Sequence, residues 1–235
     1  MNIENIKLIE LIAKGLGELK EDVVFLGGMV TFIYADDASL SDIRPTKDVD
    51  CIIEVHSKMD YAVLEDKLRK KGFKNDIYSD KPLICRFLYD GVIVDVMPTE
   101  TDILGFSNKW YKTGFENRIL YQLTEEITIY ILPVEYYLAT KFEALLGRGG
   151  KDLRFSHDFE DIIYIVQNND NLVKTLQAAD KKVKNYLEVE FSKILEDRHH
   201  KEAVEANLPY NTNMEEIDFI LKKLKRLSSK DWQLF

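Results

Sequence analysis

Residues 83–88 and 92–96 are two apolar runs joined by Tyr89-Asp90-Gly91. Asp-Gly between strand-length apolar runs is a strong hairpin signal, because both residues tolerate the positive φ that a tight turn demands. The second arm reads Val92-Ile93-Val94-Asp95-Val96-Met97, so a carboxylate stands inside a strand. Buried carboxylates are rare without a partner. The fold must therefore contain a sheet and also something for Asp95 to meet.

Other segments extend this pattern. Residues 3–20 carry helical spacing through Ile6, Ile9, Leu11, Ile12, Leu16 and Leu19. Residues 23–26 read as a short buried strand ended by Gly27-Gly28, and a helix is expected to start at Met29. Residues 36–47 are polar, contain Pro45 and form a loop. Residues 49–55 make a β-branched strand. Residues 58–71 form an amphipathic helix on Met59, Ala62, Val63, Leu64 and Leu68, stopped by Gly72. Residues 99–118 are loop-like with a weak helical stretch, and residues 128–132 give one last strand.

From Pro133 onward the pattern is helical: 133–147, 157–168, 170–178, 180–206 (broken or bent) and 213–227. The expected fold class is α+β, a small mixed β-sheet core with flanking helices followed by an α-helical C-terminal bundle. The expected domains are residues 1–130 and 131–235.

Composition fits a soluble globular chain, with 46% hydrophobic and 31% charged residues among 235. No stretch approaches the roughly 20 apolar residues of a membrane span. The N-terminus lacks the basic and apolar regions of a signal peptide. Cys51 and Cys85 both lie in apolar runs and read as reduced, buried thiols of a cytoplasmic protein. A net charge of −9 makes non-specific nucleic-acid binding poor, and DNA is not an expected partner. Local basic runs still allow a polynucleotide substrate. The runs Lys67-Leu68-Arg69-Lys70-Lys71, Lys181-Lys182-Val183-Lys184 and Lys222-Lys223-Leu224-Lys225-Arg226 are expected to be solvated helix faces.

Chemistry concentrates around Arg44-Pro45-Thr46-Lys47-Asp48-Val49-Asp50-Cys51. In a strand, residues i and i+2 share a face, so Asp48 and Asp50 point the same way. Two like charges side by side are unfavourable unless a cation neutralises them. Carboxylates suit magnesium, which keeps several waters and takes substrate phosphates as further ligands. Asp95 can join the pair if its strand is a neighbour. Gly28, at a turn after a strand, lets backbone N–H groups approach a phosphate. Asp36-Asp37 is a competing acidic pair with no strand behind it and is expected on the surface.

The order Gly27-Gly28, Asp48-Val49-Asp50, Asp95 resembles the nucleotidyltransferase superfamily related to DNA polymerase beta. The longer separation between Gly28 and Asp48 implies an inserted loop around residues 36–43. A narrower resemblance links residues 44–50 to the Arg-x-Thr-x-Asp-Ile-Asp segment of AbiEii-type nucleotidyltransferases, known as toxins of toxin–antitoxin and phage-defence systems. There the sheet is followed by a helix with a Lys, then an Arg, then Asp-x-x-Asp. Here these correspond to Lys141, Arg148, Asp158 and Asp161.

The resemblance implies that Asp48, Asp50 and Asp95 hold Mg²⁺ or Mn²⁺. It implies that Gly27, Gly28, Lys47, Lys141 and Arg148 bind the NTP. Asp158 becomes a general base or an orienter of Lys141 or Arg148, and Asp161 pairs with Arg148 or another helix. Gly149-Gly150 lets two helices fold back, and its spacing does not fit a P-loop. His157 has no neighbouring histidine and is not expected to bind metal. The implied reaction transfers an NMP to an acceptor hydroxyl, on a tRNA 3′ end or a protein, with a cognate antitoxin as a further partner. Alternatives are a catalytically idle nucleotide-binding or protein-binding module, a two-metal hydrolase, and an aminoglycoside-type small-molecule transferase.

Overall fold

The computed structural model describes residues 3–37, 44, 46–77, 83–148 and 152–228. The chain divides into two compact units. One comprises Asn2–Val30 and Arg44–Pro133, and the other gathers the described residues of Thr31–Ile43 and Val134–Phe235.

The first unit is built on a mixed sheet. Its elements are α1 (Ile3–Leu16), β1 (Val23–Leu26), β2 (Asp48–Ile53), α2 (Lys58–Lys70), β3 (Lys74–Asn75), β4 (Arg86–Tyr89), β5 (Val92–Pro98), α3 (Thr101–Leu104), α4 (Tyr111–Glu116), β6 (Ile119–Gln122) and β7 (Thr128–Ile131). Among the described residues the sheet has seven strands in the order β3-β4-β5-β2-β1-β7-β6. β2 runs parallel to β5 and antiparallel to β1, β1 runs parallel to β7, and the edge pairs β3–β4 and β6–β7 are antiparallel.

The expected hairpin forms between β4 and β5, with Tyr89 opposite Val92. Asp90 and Gly91 take φ of 47° and 80°, the conformation that such a turn requires. All four residues of β1 are buried, as is the α1 stripe Ile9, Ile12, Ala13 and Leu16. Each large apolar side chain so covered contributes roughly 1.5–3 kcal/mol.

Some expectations change. The helix at the N-terminus ends at Leu16, and residues Gly17–Asp22 continue as a 3₁₀ segment. The helix expected from Met29 is a 3₁₀ run, Gly28–Tyr34, with i+3 bonds from Val30 N–H to Gly27 O and from Ala35 N–H to Phe32 O. Val30, Thr31, Phe32, Ile33 and Tyr34 all lose side-chain freedom in an α-helix, so a short tight run is the cheaper outcome.

α2 buries Tyr61, Leu64 and Leu68, whereas Met59 and Val63 are exposed. Its start is capped by Ser57 Oγ, which accepts from Asp60 N–H at 3.1 Å. Strands β3 and β6 lie in segments without a strand pattern. β3 is two polar residues, and β6 is an edge strand with no buried side chain, so neither alternates.

The helical unit contains α5 (Val134–Gly147), α6 (His157–Asn168), α7 (Leu172–Ala178), α8 (Lys181–Glu196), α9 (His200–Ala206) and α10 (Met214–Ser228). α8 and α9 are separate helices where a broken or bent one is expected. α5 packs on α6 and α8, with Phe142 and Phe191 edge-to-face at 5.1 Å. Residues 31–37 belong to this unit. Thr31 Oγ1 and Tyr137 Oη are 2.6 Å apart, the Tyr34 and Tyr137 rings meet at 4.4 Å tilted by 36°, and Asn169 Nδ2 donates to Tyr34 O at 2.8 Å.

The basic run at 222–226 is not wholly solvated. Lys223 is buried, donates to Asn169 O at 2.6 Å just past the end of α6, and has its pKa lowered by burial. The ammonium there joins Leu172 N–H, at 3.2 Å, in donating to the Asn169 carbonyl. Among the described residues, no helix is long and apolar enough to cross a membrane.

Candidate metal centre

The centre is assembled by the register of three strands. Asp50 on β2 lies directly opposite Asp95 on β5, and Asp95 lies directly opposite Arg86 on β4. Directly opposed residues share a face, and so does Asp48, two residues before Asp50. Carboxylate oxygens of Asp48, Asp50 and Asp95 all lie within 4.8 Å of one another. Asp95 is buried at 6% exposure, while Asp48 and Asp50 are half-buried.

Three carboxylates this close need positive charge nearby. Arg86 supplies part of it. Its Nε donates to Asp95 Oδ1 at 2.8 Å and its Nη2 to Asp95 Oδ2 at 2.7 Å, a two-pronged pairing. The Asp95 contact raises the guanidinium above its ordinary range, and the charge of Asp48 adds to it. Arg86 thus offsets one of the three carboxylate charges.

The donor set fits a hard divalent cation. All three groups offer carboxylate oxygen, which suits magnesium or manganese. Asp95 with both oxygens on Arg86 still keeps unused lone pairs for a metal.

The diglycine turn completes the arrangement. Gly27 has φ of 77°, and a Cβ at this position would overlap the Asp50 carboxylate. Only glycine meets both demands at once. Two side chains hold Met29, the residue after the diglycine, in place. Asn5 Nδ2 donates to Met29 O at 3.4 Å, and Thr46 Oγ1 contacts Met29 Sδ at 3.3 Å. The 3₁₀ run begins at Gly28.

Beneath the opposite face lie Cys51 and Cys85, both free and buried. Burial raises the Cys51 thiol, with Asp50 and Asp95 adding to the effect. Burial, then Asp95, pushes Cys85 up to about 12.

The other expected site residues are each placed within their own unit. Lys47 is exposed at the bend before β2. Lys141, Asp158, Asp161 and Arg148 form a cluster of the helical unit. Lys141 is 7% exposed; its Nζ is 2.5 Å from Asp161 Oδ2 and 3.4 Å from Asp158 Oδ1. Arg148 Nη1 is 2.8 Å from Asp158 Oδ2. Asp161 thus reaches the neighbouring helix through Lys141, and Asp158 bridges both cations.

Asp36 and Asp37 are exposed, and Asp36 Oδ2 accepts from Asp170 N–H at 2.6 Å. His157 is exposed beside Glu160. Pro45, Gly149-Gly150 and most of the loop at 36–43 lie outside the described residues.

Arg86 is the residue that sequence reasoning missed, although the hairpin carries the signal. Counting pairs back from the Asp90-Gly91 turn places position 86 opposite position 95.

No protein-family model and no curated protein matches the sequence. Among solved structures, the chain is similar to an antigenic nucleotidyltransferase-like protein from Paracoccidioides brasiliensis. The TM-score is 0.53 and the identity 17%, over 87% of this chain and 94% of the other. The chain therefore has a nucleotidyltransferase-like fold whose sheet brings together three acidic side chains able to share a divalent metal.

Proposed function

We propose that the protein is a metal-dependent nucleotidyltransferase that moves an NMP from an NTP to an acceptor hydroxyl, on a tRNA 3′ end or a protein. The observation that carries this is the meeting of Asp48, Asp50 and Asp95 within 4.8 Å beside the Gly27 turn.

Asp48, Asp50 and Asp95 would hold Mg²⁺ or Mn²⁺. When bound, such an ion neutralises phosphate charge and aligns the attacking and leaving oxygens. Gly27-Gly28 presents bare backbone where the triphosphate binds. The acceptor hydroxyl attacks the α-phosphorus, Asp95 takes its proton, and pyrophosphate leaves. In the helical unit, Asp158 orients Lys141 and Arg148, the two cations that the family resemblance gives to phosphate binding; the observed ion pairs support that orienting role. The biological reading that accompanies this chemistry is a cytoplasmic toxin or phage-defence protein held in check by an antitoxin.

The test is incubation of the protein and Mg²⁺ or Mn²⁺ with each α-labelled NTP, total RNA and total protein. Label should appear on one acceptor and vanish in Asp48→Ala and Asp50→Ala. Labelled NMP released without an acceptor would instead identify a hydrolase. Absence of both transfer and hydrolysis would overturn the reading.

A further inference from the structure

Arg86 occupies an unusual place for a cation, on a carboxylate that belongs to a metal-ligand set. We propose that Arg86 is a positioning residue with two opposed effects: it fixes Asp95 in a ligating orientation and weakens the triad's grip on the ion. This rests on the reading that Asp48, Asp50 and Asp95 bind metal.

The geometry supports the first effect. Arg86 and Asp95 are cross-strand partners, and both guanidinium contacts are short, at 2.7 and 2.8 Å. A planar fork on both oxygens fixes the carboxylate plane as a lysine could not. Side-chain exposure of 22% for Arg86 and 9% for Asp95 leaves little room for either to drift.

Charge supports the second effect. Loss of Arg86 removes one positive charge from beside the three carboxylates. In a partly buried site one added unit charge acts strongly on a dication. A neutral or anionic group behind a ligand raises its basicity; a cationic one opposes the metal. The charge change outweighs the small entropic gain from holding one side chain still. The structure also explains why a cation is tolerated there: without it, Asp95 would be buried in a strand with no partner whenever the metal is away.

A purely architectural Arg86 predicts something different. Its loss would lower metal binding and turnover together. The proposal predicts that they separate. Mn²⁺ titration by calorimetry of the full chain, without nucleotide, reads the first quantity; label transfer at saturating Mn²⁺ reads the second.

Arg86→Gln should bind Mn²⁺ about tenfold more tightly. It should also lose roughly 10- to 100-fold in transfer. Arg86→Lys keeps the charge and loses the fork. It should stay within about threefold of the parent in Mn²⁺ affinity and still lose transfer. Unchanged or weaker Mn²⁺ binding by Arg86→Gln overturns the charge effect. Full transfer by Arg86→Lys overturns the orienting effect, and that variant decides it even where Arg86→Gln does not fold. A parent protein that binds no Mn²⁺ overturns both this inference and the function beneath it. Binding that Asp48→Ala abolishes and Arg86→Gln leaves unmoved overturns this inference alone.

Discussion

Gly27 and Asp50 occupy adjoining space: the Asp50 carboxylate fills the place that any side chain at Gly27 would need. Gly27→Ala must therefore pay twice. The φ of 77° costs an L-residue roughly 1–2 kcal/mol. The Asp50 carboxylate must also move out of the triad. The expected result is a lower urea midpoint together with loss of Mn²⁺ binding, measured on the same sample. A Gly27→Ala variant that binds Mn²⁺ normally would show that Asp50 has freedom the structure does not give it.

The clustered carboxylates repel one another until a cation joins them, so metal should stabilise the fold. At a concentration 100 times the dissociation constant, the gain is about 2.7 kcal/mol. Thermal unfolding with and without Mn²⁺ checks this. The parent should gain several degrees, and Asp48→Ala and Asp50→Ala should gain nothing.

The helical unit has its own electrostatic dependency. Lys141 stands between two carboxylates whose side chains are 5% and 2% exposed. Removing it takes the Lys141 contact from Asp161 and leaves Asp158 with Arg148, and breaking a buried pair in this way costs about 3–5 kcal/mol. Asp158→Ala leaves the Lys141–Asp161 contact in place and should cost clearly less. In denaturant titrations Lys141→Met should be the more damaging of the two, while Asp158→Ala stays folded with reduced transfer. Equal stability of the two variants would contradict the observed pairing.

Cys85 gives the protein a pH dependence on the alkaline side. Its thiol rises from 9.0 to about 12 on folding, through burial first and Asp95 second. Above pH 9 the unfolded chain releases this proton while the folded chain keeps it. The stabilising contribution is thus complete below the unfolded value and lost as pH climbs toward 12. Cys85→Ala should flatten the fall in stability over that window, measured by urea midpoints at stepped pH. In the native state at pH 8 the thiol should also resist iodoacetamide, because the thiolate is the reactive form.

Local chemistry made much of this legible. The Asp90-Gly91 turn announces the hairpin, and arithmetic from it would have paired Arg86 with Asp95. The alternation of Asp48 and Asp50 places them on one face before any neighbour is known. What local chemistry could not reveal is that β5 lies beside β2, since that adjacency depends on contacts between distant segments. β6 escaped notice because an exposed edge strand has no buried face to pattern. The membership of residues 31–37 in the helical unit is equally hidden. Its evidence is a set of bonds to Tyr137 and Asn169, which are 106 and 135 positions from their partners Thr31 and Tyr34.

That last feature bears on how the protein can be made and divided. During synthesis, Thr31 and Tyr34 emerge long before the helices that receive them. Until α5 and the residues after α6 follow, Tyr34 has no ring to meet. A cut near residue 133 would separate these partners permanently. The second product would lack part of its core, and the first would carry residues 31–37 without the helices that receive them.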